Sequence, residues 1–342
     1  MILVGLLLGL LCVTPFVIFY VLVVRWCDRF EPEPWWLLAC AFLWGAIFAT
    51  IGGGVTSAIG EGIAASVTGN SVNSSAMDAF GATILAPICE EGFKGLGVAI
   101  IAGVSAIWLH EVDGALDGVI YGGIVGLGFT LTEDILYVAA QFEKDGLPGF
   151  AGLLVFRTVF LGLSHCTFTA CTGLGFGIAA ESRSWFVKIF APIMGYGCAM
   201  FLHFVHNYIP TYYPNGAGAG IMLMESWGVE FLFFVILAVL VTRDRAIVIR
   251  ELSNEIGGLI HPRELLLITT YVTIGMRNWG ILFSKGWRAF RDRREKQLAL
   301  VELAFLKNRR RRGERGADLD KKEAMLRHEV FALNQRGVWL GS

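Results

Sequence analysis

Residues 86–95 read APICEEGFKG, two adjacent glutamates and a lysine inside a run that otherwise resembles membrane helix. Apolar sequence continues on both sides, AFGATILAPI leading into the pair and GVAIIAGVSAIWL leading away from it. A charged side chain at the centre of a bilayer costs about 2.5–3.5 kcal/mol on insertion scales, so three within five residues call for a reason. The flanks make the stretch a membrane span, and the charges make it a candidate site.

Six further runs approach the roughly 20 apolar residues that a crossing helix needs. The seven ranges lie near 2–24, 36–58, 78–108, 116–140, 151–178, 188–209 and 221–242. The chain is 55% hydrophobic with a mean hydropathy of +0.61, well above the apolar share of a soluble domain. The expected fold is therefore all-α: a polytopic membrane protein with about seven transmembrane helices over 1–242, then a basic amphipathic helical C-terminal tail over 243–342. The N-terminal MILVGLLLGLLCVTPFVIFYVLVVRW lacks a basic n-region and an A-x-A site. Its apolar run is also too long for a signal peptide, so it reads as the first span.

Cations set the expected orientation by the positive-inside rule. Arg25 and Arg29 follow the first span, Arg183 and Lys188 separate the fifth from the sixth, and Arg243, Arg245 and Arg250 follow the seventh. All fall on one side if the N-terminus is outside. The opposite loops TGNSVNSS and PTYYPNGAGAG hold no Lys or Arg, and EKDGLPG holds one Lys. An integral membrane protein with its N-terminus outside and a cytoplasmic tail is expected. The tail mixes cations with apolar residues at three-to-four spacing, which suits a helical region lying on the inner membrane surface. Net charge is −1, so no nucleic-acid partner is expected.

Other repeated features read as packing. Gly118, Gly122 and Gly126, and Gly173 and Gly177, recur every four residues, the small-xxx-small pattern of closely approaching helices. The seven cysteines, at 12, 27, 40, 89, 166, 171 and 198, form no C-x-x-C pair and read as small apolar side chains.

Ionisable residues within spans form four clusters. They are Glu90, Glu91 and Lys94; Glu133 and Asp134; Arg157 and His165; and His203 and His206 with Asn207. Lys94 is i,i+4 from Glu90 and i,i+3 from Glu91, so its ammonium reaches either carboxylate. At about 1.5 Å per residue, Glu90 lies roughly 18 Å, Glu133 roughly 10 Å, His165 roughly 20 Å and His203 roughly 10 Å from the outer end of its span. All four depths fit the outer-to-middle part of one bilayer. One lysine cannot neutralise three carboxylates, which leaves a pair able to hold and release a proton.

Such groups are the parts for peptide hydrolysis without a nucleophilic Ser or Cys: a carboxylate to take a proton from water, and His or Asn to stabilise an oxyanion. No cofactor is required by that chemistry. The close rival is zinc, held by His165, His203, His206 and one of Glu90, Glu91 or Glu133, although no H-E-x-x-H is present.

These motifs resemble the PrsW family of intramembrane proteases, within the wider CPBP group that includes the CAAX prenyl endopeptidases. The resemblance covers about residues 1–242. It rests on DRFEPEPWWLL after the first span, on EEGFK as E-E-x-x-K, and on Phe129 and Glu133 as F-x-x-x-E. It continues through the histidine of LSHCTFTA to His203 and Asn207 as H-x-x-x-N. Asp134 departs from it, since Asn often follows that glutamate. The resemblance implies cleavage of a membrane-anchored protein near its extracytoplasmic end, with release of an anti-sigma factor as the known theme.

The expected partners are then a membrane-anchored protein substrate and the lipid bilayer. In the expected site Glu90 or Glu91 activates water and Lys94 sets their charge. Glu133 and His165 assist the proton path or hold the water, and His203 and Asn207 contact oxyanion and substrate, with His206 and Phe129 in support. A proton- or cation-coupled transporter and a non-catalytic scaffold that binds membrane helices remain the alternatives.

Overall fold

The structure, a computed structural model, describes residues 1–28, 30–109 and 111–341, with side chains at all of these except 271–274. Arg29, one of the cations used for orientation, lies outside the described residues. The chain divides into two units, Met1–Asp28 with Glu33–Ala238, and Val239–Ser342 with Arg29–Pro32.

Helix α1 covers Ile2–Cys27. Helix α2, Trp35–Leu43, runs through a π-helical turn at Trp44–Ala49 into α3, Thr50–Thr68. α3 stops at Gly69, whose φ of 72° is the left-handed cap that glycine adopts without strain. Helix α4, Ser75–Phe80, opens on Ser74, whose side chain accepts from the Met77 amide. A second π turn, Gly81–Leu85, leads into α5, Ala86–Val104, which carries the charged stretch. Then come α6, Ala115–Leu153; α7, Ser164–Glu181; α8, Trp185–Tyr212; and α9, Gly216–Leu252. No strand occurs among the described residues.

Among the described residues, five helical segments are long and apolar enough to cross a membrane, so the count of seven is not reproduced segment for segment. One of the five, Ala115–Glu181, has 67 residues, about 100 Å of helix and far more than one crossing needs. It is broken at Gly146 (φ 65°, ψ −154°) and again at Leu161 (φ −115°, ψ 5°), and it covers both ranges 116–140 and 151–178. The range 221–242 lies within α9.

Helix α6 is the axis of the first unit. Every residue from Ala115 to Thr130 is buried, as expected for a helix apolar on all sides and surrounded by others. The glycine stripe is its seam with α7. A Cβ at Gly118 would lie 2.1 Å from Gly173 O, at Gly122 2.5 Å from Thr169 O, and at Gly126 2.3 Å from His165 O. Gly126 thereby lets the backbone of His165 approach α6. Gly126→Ala is expected to destabilise the protein by about 1–3 kcal/mol through overpacking. Gly103→Ala, at a position with nothing within 4 Å, should leave the melting temperature in detergent unchanged.

The loop after α1 is tied down by Glu33. Its amide donates to Asp28 Oδ2 at 2.7 Å, its carbonyl accepts from Arg25 Nη1 at 2.7 Å, and its carboxyl meets the Tyr121 hydroxyl. Burial first, then the charges of Asp117 and Asp28, push this carboxyl well above the usual carboxylate range. Glu33 is thus suited to a neutral, hydrogen-bonded role.

The second unit has a core of its own. Helices α10, Pro262–Ile268; α11, Tyr271–Arg311; and α12, Ala317–Gln335 enclose Leu252, Leu300, Leu303, Val330 and Leu340. Lys296, fully buried, pairs with Glu264, while Arg293 donates to the carbonyls of Trp339 and Leu340 at 2.6 and 2.7 Å. The three-to-four spacing read as a membrane-surface helix therefore also builds an interior. Its apolar faces meet one another, and much of the cationic surface is left outside.

Candidate active site

Four helices bring the clusters together. On α5, one turn of helix places Lys94 Nζ 2.8 Å from Glu91 Oε1 and 3.7 Å from Glu90 Oε2, as the i,i+3 and i,i+4 spacing requires. α7 contributes His165, whose Nδ1 is 3.2 Å from Lys94 Nζ and whose Nε2 is 2.7 Å from Glu133 Oε2 on α6. α8 contributes His203, with Nδ1 3.1 Å from Glu91 Oε1 and Nε2 3.7 Å from Glu90 Oε2. Residues from separate predicted spans thus meet in one site.

Hydrogen-bond roles follow from what each group can do. An ammonium only donates, so His165 Nδ1 accepts from Lys94 and its Nε2–H donates to Glu133. A carboxylate only accepts, so His203 Nδ1–H donates to Glu91. Arg157 donates to Glu133 Oε2 at 2.7 Å and, through Nε, to Asp134 Oδ1 at 3.0 Å. The result is a continuous chain from Arg157 through Glu133, His165, Lys94 and Glu91 to His203. Aromatic rings hold it in place. Lys94 Nζ lies 3.5 Å from the centre of the Phe129 ring, a cation–π contact, and Phe168 stacks on His203 at 5.5 Å.

The adjacent glutamates differ. Glu91 is fully buried, and its two oxygens are occupied by Lys94, His203 and Thr169, whose Oγ1 donates at 3.1 Å. Glu90 keeps 14% side-chain exposure, and its Oε2 accepts no hydrogen bond among the described residues. An orphaned acceptor is rare in a folded interior and marks a group with something left to bind.

Two expected residues stand apart from this chain. His206 turns to α9, where Nδ1 lies 3.1 Å from Glu225 Oε2 and 3.3 Å from Ser226 Oγ. Asn207 Nδ2 donates to Ala82 O at 2.9 Å, which ties α8 to the π turn ahead of α5. Asp134 takes Arg157 and the Thr158 hydroxyl, the latter at 2.8 Å; a cation at this point accounts for an acid where the resemblance has Asn. Thr158, Thr169, Glu225 and Ser226 were not among the expected site residues. Glu225 carried a visible signal, an acid in the apolar range 221–242, whereas the threonine contacts depend on helix rotation.

The side chains of Glu91, His165 and His203 could hold a metal ion, their ligand atoms lying within 4.8 Å of one another. Two histidines and a carboxylate are a donor set of catalytic zinc sites, so the residues fit by type. Lys94 already occupies two of the three, and a divalent ion there would take its place at Glu91 and His165. A cavity of about 490 Å³ opens among α7, α8 and α9, with Thr167, Cys171, Gly195, Leu202 and Phe233 in its walls and none of the site's charged side chains among them.

A helical membrane protein with carboxylates, histidines and an ammonium meeting inside its bundle has the constitution of an intramembrane hydrolase. The family described as PrsW family intramembrane metalloprotease matches residues 33–241, more than half of the chain. The chain belongs to the PrsW family and is an intramembrane protease. No curated protein and no solved structure matches it.

Proposed function

We propose that the chain is a glutamate-type intramembrane endopeptidase in which Glu90 activates the attacking water. The observation that carries this reading is the contrast between a fully engaged Glu91 and a partly exposed Glu90 with an unused oxygen. Glu90 Oε2 and His203 Nε2 are 3.7 Å apart, a separation that one water can bridge with two hydrogen bonds of about 2.8 Å. Glu90 takes a proton as the water oxygen attacks the peptide carbonyl. The proton then passes to the amide nitrogen as the C–N bond breaks, leaving a carboxylic acid and an amine, which exchange a proton to become carboxylate and ammonium.

Glu91 and Lys94 position His203 and His165, and Glu133 with Arg157 fixes the His165 ring. Asn207 holds α8 in register and has a second amide hydrogen to offer to substrate. The apolar cavity among α7, α8 and α9 has room for side chains of a membrane-spanning substrate segment. The substrate is then a membrane-anchored protein cut near its extracytoplasmic end, as in the first cut that releases an anti-sigma factor. The placement is the bacterial inner membrane, N-terminus outside and tail in the cytoplasm, on the distribution of Arg and Lys.

The donor set of Glu91, His165 and His203 favours a second reading, zinc-assisted hydrolysis. Zinc bound there would supply Lewis acidity and a more acidic water. Dialysis of the purified protein against a chelator is expected to leave cleavage intact. Loss of activity that returns with Zn²⁺ would move the assignment to the metal.

Substrates are found by mapping protein N-termini in membranes from native cells and from cells carrying Glu90→Gln with Glu91→Gln. The expected outcome is a set of termini missing in the variant, clustered at the outer ends of single-span proteins. An unchanged set, with the variant protein made at normal level, overturns proteolysis at this site and returns the scaffold reading.

A further inference from the structure

One end of the helical hairpin in the second unit is built unlike the rest of that unit. Helix α11 turns back at Gly286, where φ is 84° and ψ is 177°, a conformation open to glycine. Asn278 Nδ2 donates to Gln297 Oε1 at 3.0 Å, so the arm before Gly286 lies along the arm after it. The turn exposes Phe283 (83%) and Trp287 (66%), with Trp279 (58%) and Met276 (70%) further along. The rings form one patch, with centroids of Trp279 and Phe283 6.2 Å apart and those of Trp287 and Phe290 5.4 Å apart.

Water is a poor surrounding for that patch, and other residues supply the core of the unit. Its charge is one-sided. From Met276 to Phe290 the sequence has Arg277, Lys285 and Arg288 and no Asp or Glu, and Arg291, just beyond, pairs with Asp292 at 3.3 Å. Lys285 and Arg288 flank Gly286 at the turn and are exposed. Aromatic side chains beside cations at a protruding turn match the interface of an anionic bilayer, where rings sit at headgroup level and cations meet phosphate. The chain is itself anchored in a membrane, so such a surface is present at high effective concentration.

We propose that the Gly286 turn inserts into an anionic phospholipid surface, with Phe283 and Trp287 at the headgroup–acyl boundary and Lys285 and Arg288 on lipid phosphates. The tail is then anchored through one tip, with its remaining helices packed on each other. The inference is independent of the catalytic assignment.

The test places the photoreactive amino acid p-benzoylphenylalanine at position 283 of the full-length chain, and in a second variant at 287. A control position, 321, lies exposed on α12, two residues from Glu323, which pairs with Arg310 at the far end of α11. After irradiation of membranes, phospholipid adducts are expected at 283 or 287 at about five times the frequency at 321 or more. In vesicles, replacing phosphatidylglycerol by phosphatidylcholine should lower them about several-fold, and so should Lys285→Glu with Arg288→Glu. Adducts at 283 and 287 no more frequent than at 321, adducts to protein or nucleic acid in place of lipid, or indifference to lipid charge would overturn the proposal.

Discussion

Glu90→Gln is expected to lower the rate of substrate cleavage by about 10²–10⁴-fold, the contribution of a well-placed general base, with little change in melting temperature. Glutamine keeps the shape of the side chain and loses the proton acceptor. Glu90 Oε2 accepts no hydrogen bond among the described residues and meets Lys94 only at 3.7 Å, so little structure depends on its charge. Glu91→Gln should behave differently. The carboxylate it removes faces a fully buried Lys94 at 2.8 Å and receives bonds from His203 and Thr169. A buried ammonium stripped of its partner costs about 3–5 kcal/mol, so this variant should lose stability along with activity. The two variants are compared by thermal unfolding in detergent and by cleavage of a substrate from the N-terminal mapping. Full activity in Glu90→Gln would remove it as the base, and equal destabilisation of both would remove the distinction between them.

The second large effect is expected at Arg157. Its guanidinium is mostly buried, with 18% side-chain exposure, and bonds Glu133 at 2.7 Å and Asp134 at 3.0 Å. Arg157→Met leaves two adjacent carboxylates without their cation in the membrane-spanning unit, at a cost of about 3–5 kcal/mol. Activity should fall too, because Glu133 then loses half of the support that orients His165. Arg157→Lys keeps the charge without the planar fork and should fall between the two. Adding Asp134→Asn to Arg157→Met removes one of the stranded charges and should recover part of the stability. Arg157→Met unfolding within a degree or two of the native protein would mean that Arg157 is dispensable to the site.

Much of this was legible along the chain. A span is a local property, so apolar length alone located α1, α5 and α8. The spacing of Glu90, Glu91 and Lys94 fixed their ion pairs because α-helix geometry leaves no other arrangement. The glycine repeats marked the α6–α7 seam, though nothing in them said that Gly126 admits the backbone of His165. The tail was read only in part. Three-to-four spacing fits a helix on lipid and a helix on another helix equally well, and α11 and α12 use it largely for the second.

The sequence by itself determined a helical membrane protein with carboxylates, histidines and a lysine inside its apolar ranges, because hydropathy and charge are read along one chain. Only the tertiary structure decided how each helix is rotated about its axis. That rotation turns Glu91 inward to Lys94, His203 and Thr169 and leaves Glu90 at the margin. It gives Glu133 to Arg157 and His165, and it sends His206 to Glu225. A rotation of about 100° separates neighbouring residues of a helix, and only packing against the other helices sets which of two adjacent glutamates is left with an unused oxygen.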